Sequence, residues 1–177
     1  MSSVKQTSCF QTSKRSNSRF FAVQALYQVE IGNSDVQKVI EEFENFRFLE
    51  GEGGFRWRSA DISWFRKVVS GVVSEQSQVD TLIQRALTAD WSLNRIDPTV
   101  RSIMRAATYE LLMLEKVPAR VVIAEYMLIA EAFRVENEPR LINGVLAHLA
   151  RILRPESFKD IATSTEINSI PSPDNTQ

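Results

Sequence analysis

The stretch DWSLNRIDPTVRSIMRAATYELL, Asp90–Leu112, decides the fold class. Asp97-Pro98 is a strong helix start. The Asp carboxylate can accept from the free N–H groups of the first turn, and Pro at the first helical position has no N–H to lose. From there Val100, Ile103, Met104, Ala107 and Leu111 recur at helical spacing and predict one buried face. Arg101 and Arg105 stand four apart and off that stripe, so they are expected to share a second, cationic face. Arg95 lies just before the helix, and Trp91 is expected to plug the preceding turn.

Outward from this segment the text stays helical. Toward the N-terminus, Phe21, Ala22, Ala25, Leu26 and Val29 form a stripe on a helix predicted from about Asn17 to Ile31, ended by Gly32-Asn33. Ser34 stands three residues before Gln37, a capping-box spacing, ahead of Val36, Val39, Ile40 and Phe43. Ile62, Phe65, Val69, Val72 and Val73 make a third stripe, and Val79, Leu82, Ile83, Ala86 and Leu87 a fourth. Toward the C-terminus, Pro118 opens a helix carrying Val122, Ile123, Tyr126, Ala130 and Phe133. Asn137 and Pro139 open another carrying Leu141, Ile142, Val145, Leu146, Leu149 and Ile152. No segment alternates at period two for long enough to make a strand. The expectation is an all-α domain of about seven helices over residues 17–155. Two helical subdomains could divide near Glu50–Ser59.

The flanks differ from this body. Residues 1–16 are Ser-, Thr- and Gln-rich, and residues 156–177 are Ser-, Thr- and Pro-rich, so a flexible arm and a disordered tail are expected. The net charge of −1 hides +4 over residues 1–20 and −3 over residues 155–177. A basic arm on a near-neutral body can attract polyanions locally.

A chain of 177 residues with 44% apolar and 24% charged side chains is an ordinary single-domain globular composition. No apolar run approaches the roughly 18 residues of a membrane span. One cysteine, Cys9, and one histidine, His148, build neither a disulfide nor a zinc site, which points to a reducing, cytoplasmic compartment with no metal or cofactor.

A catalytic constellation is hard to assemble. His148 lies on the last helix beside apolar positions, where a surface role is the simpler reading. Cys9 has no fixed neighbour to make it a thiolate. Glu50–Phe55 (EGEGGF) lacks the Lys-Ser/Thr ending of a phosphate loop and follows no strand. The carboxylate runs Glu41-Glu42-Glu44 and Glu136/Glu138 read as solvated faces. Trp57, between Arg56 and Arg58, could stack on a base, but packing a loop onto the domain is the better reading, and Trp64 reads as core. The sequence reads as a binding protein rather than an enzyme.

Three segments carry a resemblance: RFFAVQALYQVEI (Arg19–Ile31), Asp90–Leu112, and VPARVVIAEYMLIAEAF followed by RLINGVLAHLA within Val117–Ala150. In this order they resemble the N-utilization substance B (NusB) family of bacterial transcription antitermination factors. The resemblance implies a non-enzymatic protein that binds boxA, a short single-stranded signal in ribosomal RNA leaders. It does so jointly with the small-subunit ribosomal protein NusE, in a complex that modifies RNA polymerase. It assigns RNA contacts to Lys14, Arg15, Arg19, Tyr27, Arg105 and Arg140, and the NusE face to Trp91, Arg95, Val100, Arg101 and Met104. Some members self-associate, so a homodimer stays open.

Three positions depart from the family pattern. The dense arginine cluster before the first helix is thinned to Lys14-Arg15-Ser16-Asn17-Ser18-Arg19, an aromatic near the start of the last helix is Leu141, and an acidic residue before Arg101 is Val100. Two other readings stand beside the family one. The first is a module related to that of ribosomal RNA cytosine methyltransferases, which would need a catalytic domain after it. The second is a helical protein-interaction adaptor without RNA binding.

Overall fold

The computed structural model describes residues 13–48, 60–88, 91–135 and 138–158. Cys9, Trp57 with its flanking arginines, the Glu50–Ser59 loop, Asp90, Glu136, Asn137 and the chain beyond residue 158 lie outside the described residues. Seven α-helices follow one another: α1 (Lys14–Gly32), α2 (Val36–Glu42), α3 (Ile62–Ser74), α4 (Gln76–Ala86), α5 (Pro98–Met113), α6 (Ala119–Ala132) and α7 (Pro139–Leu153). A π-helical turn, Phe43–Arg47, extends α2, and 3-10 turns occupy Leu93–Arg95 and Pro155–Phe158. No strand occurs among the described residues. None of their helices is long and apolar enough to cross a membrane.

Local chemistry sets the helix starts. Asp97 accepts from Thr99 N at 2.8 Å and Val100 N at 3.4 Å, and Pro98 takes the first position of α5, as its sequence predicts. Asp61 caps α3 through Trp64 N. Two boundaries move. Ser13 caps α1 through Ser16 N, so the helix begins at Lys14 and the arm expected through residue 16 ends earlier. Asp35, not Ser34, caps α2 through Lys38 N. The Ser34 N–H is occupied one turn back, donating to Val29 O in the motif that ends α1.

α5 is the hub. It packs against α1, α3, α4, α6 and α7, and every residue from Val100 to Leu111 is buried. One cluster of buried residues runs from Phe21 on α1 to Ala150 on α7. The α3–α5 crossing is tight at Gly71, where an added Cβ would collide with the Tyr109 Cζ and hydroxyl. At the far end Phe158 packs against the core, so the domain reaches past the expected boundary at residue 155.

Candidate nucleic-acid interface

The first turn of α1 is the exposed cationic end predicted from sequence, but on an anchored scaffold. Asp61 N donates to Lys14 O at 3.3 Å, and Ser18 Oγ donates to Asp61 O at 2.8 Å, tying the start of α1 to the start of α3. Lys14 and Arg15 are exposed there, and no acid occupies the first turn. The Arg15 guanidinium lies 4.4 Å from the Trp64 ring centroid, with its Nε 3.8 Å from Asp61 Oδ2. Trp64, expected as core, packs against the core cluster but is only partly buried, with the Arg15 guanidinium over its ring. The free N–H groups of α1 add partial positive charge at the same place.

Arg19 is a correction. It is 3% exposed, and its Nε and Nη2 each donate to Glu110 at 2.9 Å, while Nη1 donates to Glu125 at 3.3 Å. Tyr126 Oη donates to the same Glu110 carboxylate at 2.8 Å, and Trp64 Nε1 reaches it at 3.4 Å. Burial alone would lower the Arg19 pKa, but the hydrogen bonds and charge of Glu110 override it and hold the group above its ordinary value. Burial, then the charge of Glu110, pushes the Tyr126 hydroxyl well up, against the opposing pull of Arg19. This guanidinium is an internal strut, not a free cation.

Arg101 and Arg105 are corrected in the same way. Both are 8% exposed. Arg105 grips Asp80 on α4 through Nε at 2.7 Å and Nη2 at 2.8 Å, and donates to Glu30 on α1 at 2.9 Å. Burial lowers its pKa, but Asp80 and Glu30 outweigh this and raise it. Arg101 pairs with Glu30 and donates to Leu93 O at 2.8 Å and Ile96 O at 3.1 Å. The face off the apolar stripe is therefore a second interior face, because α5 is surrounded. Val100 at 1% and Met104 at 0% exposure form core, not a docking face.

The remaining predicted residues reach the surface. Tyr27 is 40% exposed on α1, and Arg140 is exposed in the first turn of α7. Trp91, expected to plug a turn, is 42% exposed, with its carbonyl held by Gln84 Nε2 at 3.1 Å, and Arg95 is exposed beside it. Leu141 is half-buried against the core, and His148 is exposed. Sequence reasoning missed Arg154, which is buried and donates to Leu111 O and Glu110 O at 2.7 Å each and to Val117 O. Burial lowers its pKa. One signal for the buried arginines was available: Ser102, Ala106, Ala107 and Thr108 put small residues around the helix where a solvated face would carry long charged ones.

The family model described as the NusB family matches residues 16–151. A transcription antitermination protein NusB of Sinorhizobium fredii is 47% identical over 149 residues, spanning 84% of this chain and 93% of that protein. The NusB of Agrobacterium fabrum is 43% identical over 153 residues, spanning 86% and 93%. Among solved structures, a T. maritima NusB superposes with a TM-score of 0.67 at 30% identity, covering 85% of this chain and 99% of that one. A complex of antitermination factors NusB and NusE with dsRNA contains a chain of the same fold. Its TM-score is 0.65 at 20% identity, over 78% of this chain and 97% of that one. With the all-helical fold and a match along most of its length, the chain belongs to the NusB family.

Proposed function

We propose that this chain is a non-enzymatic transcription antitermination factor that binds single-stranded boxA-type RNA together with NusE, in the cytoplasm, as part of an antitermination complex with RNA polymerase. Family membership supports the class of function. The observation that carries the RNA surface is the acid-free first turn of α1, with Lys14 and Arg15 exposed beside the Trp64 ring. Tyr27, an exposed aromatic, and Arg140, an exposed cation, are assigned to the same RNA path. Single-stranded RNA is held by cationic side chains on phosphates and by stacked aromatics, which needs no catalytic pocket. The NusE face is assigned to Trp91 and Arg95, an exposed aromatic next to an exposed arginine.

Filter binding of a boxA oligonucleotide against a scrambled one, with and without NusE, tests this reading. Tighter binding of boxA, strengthened by NusE, is expected. Equal weak binding of both RNAs with intact NusE co-elution would favour the protein-interaction adaptor instead. Each phosphate contact adds about 0.7 to the salt slope of single-strand binding. Lys14→Ala/Arg15→Ala should therefore flatten log K against log salt by roughly 1.4, lowering affinity for both RNAs nearly in parallel. An unaltered slope would remove the N-terminal turn of α1 from the RNA surface.

A further inference from the structure

Lys14 and Arg15 stand side by side in the exposed first turn of α1, but their surroundings differ. The Lys14 side chain makes no hydrogen bond or ion pair with any described residue. The Arg15 guanidinium sits 4.4 Å from the centroid of the Trp64 ring, with Asp61 Oδ2 3.8 Å from its Nε. An arriving phosphate affects these two contacts differently. The Asp61 pair is long and both partners reach solvent, so a phosphate can displace it. The ring holds the guanidinium through its face and leaves the N–H groups at the rim of the plane free. The stack therefore persists while those donors grip a phosphate.

Trp64 can steady a cation because it is itself fixed. Its backbone N–H donates to Asp61 Oδ1 at 3.0 Å, and its side chain packs against the core cluster. The indole N–H reaches Glu110 Oε1 at 3.4 Å, on the buried carboxylate that Arg19 and Tyr126 also hold. Arg19 lies 5.4 Å from the same ring, but its charge is engaged by Glu110 and Glu125. Of the two guanidiniums at this ring, Arg15 is therefore the one open to a ligand. The place of α3 beside α1 is secured where Asp61 N donates to Lys14 O and Ser18 Oγ to Asp61 O. An exposed arginine without such a platform must be ordered when its ligand binds, which weakens the complex.

We propose that Trp64 is a positioning residue for RNA: it holds the Arg15 guanidinium in place before the strand arrives, so that Arg15 meets a phosphate already ordered and Lys14 does not. The inference rests on the RNA-binding reading above and adds to it a residue of α3 that acts through Arg15.

Salt titrations of the full chain with a single-stranded boxA oligonucleotide test it, at a temperature where circular dichroism shows every variant folded. Trp64→Leu should weaken binding about threefold to tenfold, the cost of ordering one long side chain, with the salt slope unchanged because the charge remains. In an Arg15→Ala background, already flatter by about 0.7, the same change should cost nothing further. In a Lys14→Ala background it should cost as much as in the wild type. Trp64→Phe keeps a ring without the indole N–H and should bind within about twofold of wild type. Arg15→Lys leaves Trp64 untouched, so it tests the idea even where Trp64→Leu folds poorly. It should keep the slope yet weaken binding about threefold, because an ammonium lacks the planar face that stacks. An equal loss from Trp64→Leu with and without Arg15 would overturn the inference, since the tryptophan would then act on the fold or on the RNA directly. Wild-type affinity in Arg15→Lys, or a loss in Trp64→Phe as large as in Trp64→Leu, would overturn it too. If Lys14→Ala/Arg15→Ala flattens the slope while Trp64→Leu binds normally, only the positioning role fails. If the wild-type chain binds no RNA, the RNA-binding reading fails with it.

Discussion

At the scale of the residue, burial separates arginines that look alike in the sequence. Arg15 and Arg19 are one helical turn apart, yet one lies over Trp64 in solvent and the other is clamped by Glu110 and Glu125. Removing Arg19 would leave the Glu110 carboxylate in the core with only Tyr126 and Trp64, a loss of about 3–5 kcal/mol by the usual cost of an uncompensated buried charge. Truncating it therefore reports folding rather than RNA contact. Gly71 makes the same point through size. Alanine is the better helix former by about 1 kcal/mol, so helix propensity alone favours Gly71→Ala. The collision with Tyr109, whose Cε2 would stand 2.6 Å from the new Cβ, reverses the sign. Net destabilisation of about 1–3 kcal/mol is expected, typical of overpacking. Chemical denaturation of Gly71→Ala measures it, and an unchanged or raised midpoint would show that the α3–α5 crossing yields freely.

At the scale of the element, α5 begins by a local rule and is closed by a distant residue. Asp97 caps α5 from within its own segment, so that start was readable, whereas the closure of α5 depends on Arg154, the residue just past α7. Arg154 donates to the terminal carbonyls Glu110 O and Leu111 O and to Val117 O in the following turn. A cation there also complements the negative end of the helix dipole. Asp97→Ala should cost about 0.5–2 kcal/mol, the range for a lost N-cap. Arg154→Met keeps much of the apolar stem but strands buried carbonyls, each worth about 1–3 kcal/mol, and should cost more than the cap. Paired urea melts rank the two. Equal losses would mean that water reaches the α5 terminus and replaces the guanidinium.

At the scale of the whole molecule, the polar network is what locks the bundle around its hub. Glu30 of α1, Asp80 of α4 and Arg101 and Arg105 of α5 join three helices through charge-assisted contacts. Arg101→Glu would set like charges against Glu30 in a site 8% exposed, so its expected outcome is a loss of about 3 kcal/mol or more. Reduced NusE co-elution in that variant would reflect unfolding. Arg95→Glu is the clean probe: an exposed substitution should stay within about 0.5 kcal/mol in stability while lowering the association rate with NusE at low salt. Unchanged association in stably folded Arg95→Glu would remove the Leu93–Arg95 turn from the partner face.

The sequence by itself determined the helix class, the Asp97-Pro98 start, the family and the buried stripes, except that Ile62 on α3 and Ile152 on α7, counted among them, are exposed. These follow from spacing and capping, which act over three or four residues and are written where they act. Lys14, Arg15, Tyr27, Arg95 and Arg140, expected to meet a partner, are exposed. Only the tertiary structure decided that Arg19, Arg101, Arg105 and Arg154 face inward, because their partners lie far away along the chain: Glu110 is 91 residues from Arg19, and Glu30 is 75 from Arg105. A stripe of apolar residues says which face of a helix must be buried. It does not say that the other faces are free, and in a helix surrounded by five others they are not. Charge is legible in a sequence, but whether a charge meets solvent or a buried partner is settled by how the helices pack.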